Sequence, residues 1–126
     1  MPARLEHANF TVSDPEATAA WMEKVFGWHV RWSGPAIDGG RSVHVGTDDA
    51  YVALYTPANP LEPKVPSYKV VGGLNHVAVV VGDINAAERA VKAAGFEPHS
   101  HADYEPGLRF YFHDSDNIEY EVVQYD

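Results

Sequence analysis

The residues best suited to chemistry are two histidines that open matching stretches. One reads Leu5-Glu6-His7-Ala8-Asn9-Phe10-Thr11-Val12-Ser13-Asp14, the other Leu74-Asn75-His76-Val77-Ala78-Val79-Val80-Val81-Gly82-Asp83. In each, an Asp follows the His by seven residues. A helix-like stretch then ends at Gly plus an aromatic, Gly27-Trp28 and Gly95-Phe96. Such a repeat implies pseudo-symmetry, which can bring distant side chains to one place. Two convergent imidazoles and a carboxylate would hold a catalytic metal. The chain has no cysteine, so thiolates and disulfides are excluded and a metal must rely on His and carboxylate.

The elements that must position these residues are legible in pattern. Leu5 to Val12 alternates as a strand. Asp14-Pro15-Glu16 starts a helix, with Asp as cap and Pro at the first helical position. Ala17, Ala20, Trp21 and Val25 predict its apolar stripe, and Gly27 its end. Strands are expected near 28–34, 41–47 and 51–56, with turns at Asp38-Gly39-Gly40 and Asp48-Asp49. Pro57, Pro60, Pro63 and Pro66 mark an extended connector. The second copy repeats the order: a buried strand through 77–81, a helix capped by Asp83 with Ala87, Ala90, Val91 and Ala94 as its stripe, and strands near 96–101, 108–113 and 118–125. The organisation is therefore a first βαβββ module at 1–56, a Pro-rich connector at 57–72 and a second βαβββ module at 73–126. The fold class is α+β, with the modules forming a curved, partly closed mixed sheet around a cavity and the helices outside.

Strand alternation assigns faces. Ala8, Phe10 and Val12 belong against the helix, which leaves His7, Asn9 and Thr11 on the other face. Val52 and Leu54 likewise leave Tyr51, Ala53 and Tyr55. Leu108, Phe110 and Phe112 leave Arg109, Tyr111 and His113. Ile118, Tyr120 and Val122 leave Glu119 and Glu121. Polar groups thus gather on the concave face, where burial demands pairing, coordination or use. His44 has an ambiguous face. His29, His99, His101 and His113 read as surface or rim residues, with His99 and His101 sharing one strand face and no carboxylate placed with them. Trp21, Phe26 and Trp28 read as core.

Composition narrows the partners. Hydrophobic residues make up 45%, which supports a folded domain, and 18 acids against nine Lys and Arg give a net charge of -9. Nucleic acid is an unsuitable partner for such a surface, whereas cationic groups and metal ions are tolerated. No apolar run approaches the ~20 residues of a membrane helix, so no membrane partner is expected. Without a visible secretory signal, a cytoplasmic location is the default expectation.

The closing stretch Phe110-Tyr111-Phe112-His113-Asp114-Ser115-Asp116-Asn117-Ile118-Glu119-Tyr120-Glu121-Val122-Val123, together with the two-module order, resembles the vicinal oxygen chelate superfamily. That group includes glyoxalase I, fosfomycin resistance proteins, extradiol dioxygenases, methylmalonyl-CoA epimerase and bleomycin-binding proteins. The family pattern is an aromatic pair, Asp-Pro-Asp-Gly, then a metal-binding Glu on the last strand. Here Ser115 replaces the Pro and Asn117 the Gly, a mild change because Asn tolerates the left-handed turn conformation. Counted from Asp114, the Glu position falls on Glu121 rather than Glu119. The resemblance implies His7, His76 and Glu121 as metal ligands. The corresponding position in the first module falls on Ala53, which cannot bind, a departure from glyoxalase I-like members. Two His and one carboxylate look instead like the fosfomycin resistance and dioxygenase arrangements, and Tyr111 matches an active-site Tyr position in both.

Such a set leaves about three positions open on an octahedral ion for a substrate with adjacent oxygens. Mn, Fe, Ni and Zn all suit it. Tyr111, Glu119 and Arg109 are the candidate catalytic residues: a hydrogen-bond donor, a base or rim acid, and a partner for an anionic group. Asn9, His44, Tyr51 and Tyr55 are candidates for the substrate pocket. The expected function is that of a metal-dependent enzyme acting on a small chelated substrate, as lyase or isomerase, thiol transferase or dioxygenase. The competing expectation is a metal-free binding protein that sequesters a drug or metabolite, its aromatics suited to a flat, cationic ligand. Family likeness also implies a homodimer.

Overall fold

The computed structural model describes residues 1–104 and 107–125. Two compact units divide the chain, Met1–Glu62 and Pro63–Asp126. The first contains β1 (His7–Thr11), α1 (Pro15–Phe26), β2 (His29–Pro35), β3 (Arg41–Gly46) and β4 (Tyr51–Thr56). The second contains a 3₁₀ turn at Ser67–Lys69, then β5 (His76–Val80), α2 (Ile84–Ala93), β6 (His99–Tyr104), β7 (Gly107–His113) and β8 (Glu119–Tyr125). Both follow the βαβββ order of an α+β fold.

Each unit builds one four-stranded mixed sheet, ordered β1-β4-β3-β2 and β5-β8-β7-β6. The first strand of each pairs parallel with the last, and the other pairs are antiparallel. The registers expose the repeat in detail. His7 stands opposite Tyr51 and Asn9 opposite Ala53. His76 stands opposite Glu119 and Ala78 opposite Glu121. Tyr51 and Ala53 therefore hold the slots that Glu119 and Glu121 fill in the second unit.

Both helices start as their sequences dictate. Asp14 and Asp83 each accept a hydrogen bond of 3.1 Å from the backbone N–H three residues on, satisfying a donor that the helix itself leaves open. Gly27 closes α1 at φ 72°, a left-handed conformation natural to glycine.

The buried face of α1 differs from the expected stripe. Thr18, Ala19, Met22 and Val25 are buried, whereas Ala17 and Ala20 are exposed and Trp21 is intermediate. Several alanines make two faces equally apolar by pattern, and the bulk of Met22 decides between them. Trp21, Phe26 and Trp28 are half-buried, in edge and tilted contacts along the helix end. The core of the first unit centres on Met22, Val43, Val45 and Leu54. That of the second centres on Val91, Phe110, Phe112, Tyr120 and Val122. Truncating Met22, Leu54, Phe110 or Phe112 to Ala would cost about 2–5 kcal/mol each.

The apolar run at 77–81 predicts a buried strand, but β5 alternates between exposed and intermediate, with Val80 65% exposed. It is an edge strand, and α2 lies over β8 and β7 instead. Ala8 on the equivalent edge strand is exposed for the same reason, since α1 lies over β2, β3 and β4. β6 begins at His99 rather than near residue 96. Pro98 just before it lacks the N–H a ladder needs.

Candidate functional site

The polar face of the second sheet gathers a connected set of ionisable side chains. Opposed residues of paired strands share a face, so Tyr111 with Glu121 and His113 with Glu119 project together. His76 joins them from β5. Its Nε2 lies 3.1 Å from Glu121 Oε1. Arg109 Nη1 donates to the other oxygen of Glu121 at 2.6 Å, and the exposures of these two side chains are only 11% and 9%. Tyr111 meets the His76 ring edge-on, centroids 6.0 Å apart.

Tyr68, carried in by the 3₁₀ turn, ties this set together. Its hydroxyl donates to Glu119 Oε1 and lies 3.2 Å from His76 Nδ1. That hydrogen bond to Glu119, with burial second, pushes the phenol up to about 12, so it remains a protonated donor at neutral pH. Because its one proton goes to Glu119, the His76 contact must be donated by Nδ1–H. Nε2 then faces the Glu121 carboxylate at 3.1 Å.

A further group completes the face. His113 Nε2 is 3.5 Å from Glu119 Oε2, and His113 Nδ1 is 3.0 Å from His99 Nε2. Among the described residues, His99, His113 and Glu119 are the one group of three whose ligand atoms all lie within 4.8 Å. Neither histidine stands out as a ligand in the sequence. Alternation puts His99 and His101 on one face, but a bulge between His99 and Ala102 inserts an extra residue in β6 and separates them. His99 pairs with Tyr111 on the polar face, while His101 stacks on Phe110 and binds Glu88 at 2.8 Å. The bond to His101 holds the Glu88 carboxyl below its ordinary value.

The turn before β8 is fixed by Asp114, which is buried. It accepts from the backbone N–H groups of Asp116 and Ile118 and from the Tyr120 hydroxyl at 2.9–3.1 Å. Burial raises its carboxyl above the usual value despite those bonds, and burial raises the Tyr120 phenol as well. Asn117 takes φ 61°, the left-handed conformation expected where it replaces Gly.

The first unit presents an aromatic counterpart. His7 stacks on Tyr51, and Tyr51 on His44, each at 4.8 Å between centroids. Arg31 lies over the Tyr51 ring at 4.4 Å. His7 Nδ1 is 2.9 Å from Glu6, whose carboxyl is held low by that bond. His44 is pushed below its ordinary value, first by burial and then by the positive charges of His7 and Arg31. Next to this stack opens a cleft of about 500 Å³ lined by Asn9, Trp32, Ile37, Ser42, His44 and Tyr55, among others. It takes in three of the four pocket candidates, and Tyr51 stands behind His44. Tyr55 donates to the Ile37 carbonyl at 3.0 Å.

The site residues therefore fall into two sets. His76, Glu121, Glu119, Arg109 and Tyr111 meet on the second sheet. His7, Asn9, His44, Tyr51 and Tyr55 share a face of the first.

Residues 4–122 match the family model of the Glyoxalase/Bleomycin resistance protein/Dioxygenase superfamily, and the chain belongs to that superfamily. Solved structures agree in fold. A glyoxalase/bleomycin resistance protein/dioxygenase domain from Frankia sp. EAN1pec is 18% identical with a TM-score of 0.84, covering 100% of this chain and 94% of its own. The fosfomycin resistance protein FosX from Mesorhizobium loti is 24% identical with a TM-score of 0.73, covering 98% and 92%. A mutant of the genomically encoded FosX from Listeria monocytogenes, complexed with Mn(II) and 1S,2S-dihydroxypropylphosphonic acid, is 18% identical with a TM-score of 0.76, covering 100% and 95%. No curated protein matches the chain. Among the described residues, no helix is long and apolar enough to cross a membrane.

Proposed function

We propose that the protein is a divalent-metal-dependent enzyme acting on a small substrate that presents two adjacent oxygens. His7, His76 and Glu121 are its metal ligands, and it works as a cytoplasmic homodimer. The carrying observation is the 3.1 Å approach of His76 Nε2 to Glu121 Oε1, which sets two potential ligand atoms side by side. Donors bound at right angles to one ion at ~2.1 Å stand about 3 Å apart, so the spacing fits. Membership of the superfamily and the Mn(II) complex of a FosX relative support the choice of ion class.

A bound Mn, Fe, Ni or Zn ion supplies Lewis-acid stabilisation of an oxyanion, and with Fe(II) dioxygen chemistry is also open. The chain's own residues do the rest. Tyr68 fixes the His76 ring through Nδ1, as partners of metal-bound histidines do. Arg109 holds the second Glu121 oxygen, which leaves Oε1 turned toward His76. Tyr111, edge-on to His76, is the hydrogen-bond donor for substrate, and Glu119 the proton acceptor. Lyase or isomerase, thiol-transfer and dioxygenase reactions all begin from this arrangement.

Purification without a tag, followed by elemental analysis and titration with Mn²⁺, Fe²⁺, Ni²⁺ and Zn²⁺, tests the reading. Stoichiometric metal weakened by His76→Ala and Glu121→Gln is expected. A wild type that ignores all four ions refutes it. The aromatic cleft of the first unit favours one second reading, sequestration of a flat ligand without metal. Ligand binding that survives chelator would select it.

A further inference from the structure

We infer that His99, His113 and Glu119 form a second cation site, which shares no ligand with the proposed His7, His76 and Glu121 centre but draws on the Glu119 carboxylate assigned there as proton acceptor, and which suits a borderline divalent ion such as Zn²⁺. The donor spacing carries the first part of the argument. Two imidazole nitrogens bound to one Zn²⁺ at ~2.0–2.1 Å stand about 3–3.4 Å apart. His99 Nε2 and His113 Nδ1 are 3.0 Å apart. Glu119 Oε2 lies 3.5 Å from the other ring nitrogen of His113, Nε2, and one ligand atom from each of the three residues falls within 4.8 Å of the other two. Two imidazoles and one carboxylate favour Zn²⁺, Ni²⁺ or Co²⁺ over Mg²⁺ and Ca²⁺, which prefer oxygen.

The surroundings orient these donors. His99 Nδ1 lies 2.8 Å from Ser100 Oγ, a hydrogen bond that holds the ring with Nε2 facing His113. Tyr68 occupies Glu119 Oε1, which turns Oε2 toward His113. The backbone supplies an independent sign. Ser100 holds φ 57°, a left-handed conformation that costs a non-glycine residue free energy. That strain lies in the bulge of β6, and the bulge is what brings His99 onto the polar face beside Tyr111. Regular pairing would have left His99 on the face where His101 meets Glu88.

The experiment uses the untagged His76→Ala protein, in which the proposed centre is disabled, titrated calorimetrically with Zn²⁺ in the presence of Mg²⁺. One equivalent of Zn²⁺ should still bind. Adding His99→Ala or Glu119→Gln should weaken it at least about tenfold, the scale at which even indirect partners of a metal matter. In the wild type, imidazole ¹⁵N spectra should show His99 Nε2 shifting on Zn²⁺ addition, a readout that needs no variant. A His76→Ala protein that binds no Zn²⁺, or binds it with an affinity unmoved by His99→Ala, overturns the inference. So does a His99 resonance indifferent to Zn²⁺. Mn²⁺ binding by His99→Ala, which keeps His7, His76 and Glu121, tests the proposed centre separately, so either site can fail without the other.

Discussion

Replacing Arg109 by Met probes the electrostatics of the second sheet most directly. Arg109 and Glu121 are almost wholly withdrawn from water, at 11% and 9% side-chain exposure, and meet at 2.6 Å. Solvent screening that makes surface pairs nearly worthless does not apply here. Removing the guanidinium leaves a buried carboxylate with His76 as its remaining ionic partner, which costs about 3–5 kcal/mol. For a cooperative unit of some 60 residues, 3 kcal/mol corresponds to a melting temperature lower by about 12–24 °C. Replacing both partners, Arg109→Met with Glu121→Leu, should recover most of that loss, because the pair's desolvation is then avoided. The assay is calorimetric melting of the four proteins of the cycle in chelator. All three tryptophans, Trp21, Trp28 and Trp32, lie in the first unit. Their emission reports that unit, while calorimetry covers the whole chain. A single variant costing less than ~1 kcal/mol, or a double variant no more stable than Arg109→Met, would refute the reasoning.

Two further outcomes follow from other parts of the structure. Tyr120→Phe removes the hydroxyl that donates to buried Asp114 and should destabilise by about 1–3 kcal/mol, read by denaturant melting; an unchanged midpoint would contradict the role given to that bond. His44 is held below its ordinary value of 6.5, first by burial, so the unfolded chain takes up this proton before the folded one does. Its contribution to stability is thus present above about pH 6.5 and lost as pH falls below it. Melts between pH 7 and 5 should slope less in His44→Gln than in the wild type, and parallel slopes would exclude the effect.

Much of the polar face can be read from alternation alone. Glu119 and Glu121 fall on the side opposite Tyr120 and Val122 because strand side chains alternate, and the register sets Tyr111 and His113 beside them. The turn at Asp114 to Asn117 is legible because its conformational demand is local. What depends on long-range packing is not. An alanine-rich helix offers two equivalent stripes, and only contact with the sheet selects Met22 and Val25 over Ala17 and Ala20. An apolar run such as Val77 to Val81 does not reveal that it sits at a sheet edge. Tyr68 stands in a stretch that reads as connector, and no periodicity links it to a histidine and a glutamate far along the chain. His99 escapes because alternation counts residues evenly, and a bulge breaks the count.

The extra residue in β6 makes the whereabouts of one imidazole a matter of chain length rather than residue identity. Deleting Ser100 would leave every ionisable side chain of the sequence in place yet turn His99 toward the opposite side of the sheet. Relatives that differ here by a single insertion or deletion would therefore diverge in this corner of the molecule while keeping nearly the same residue content.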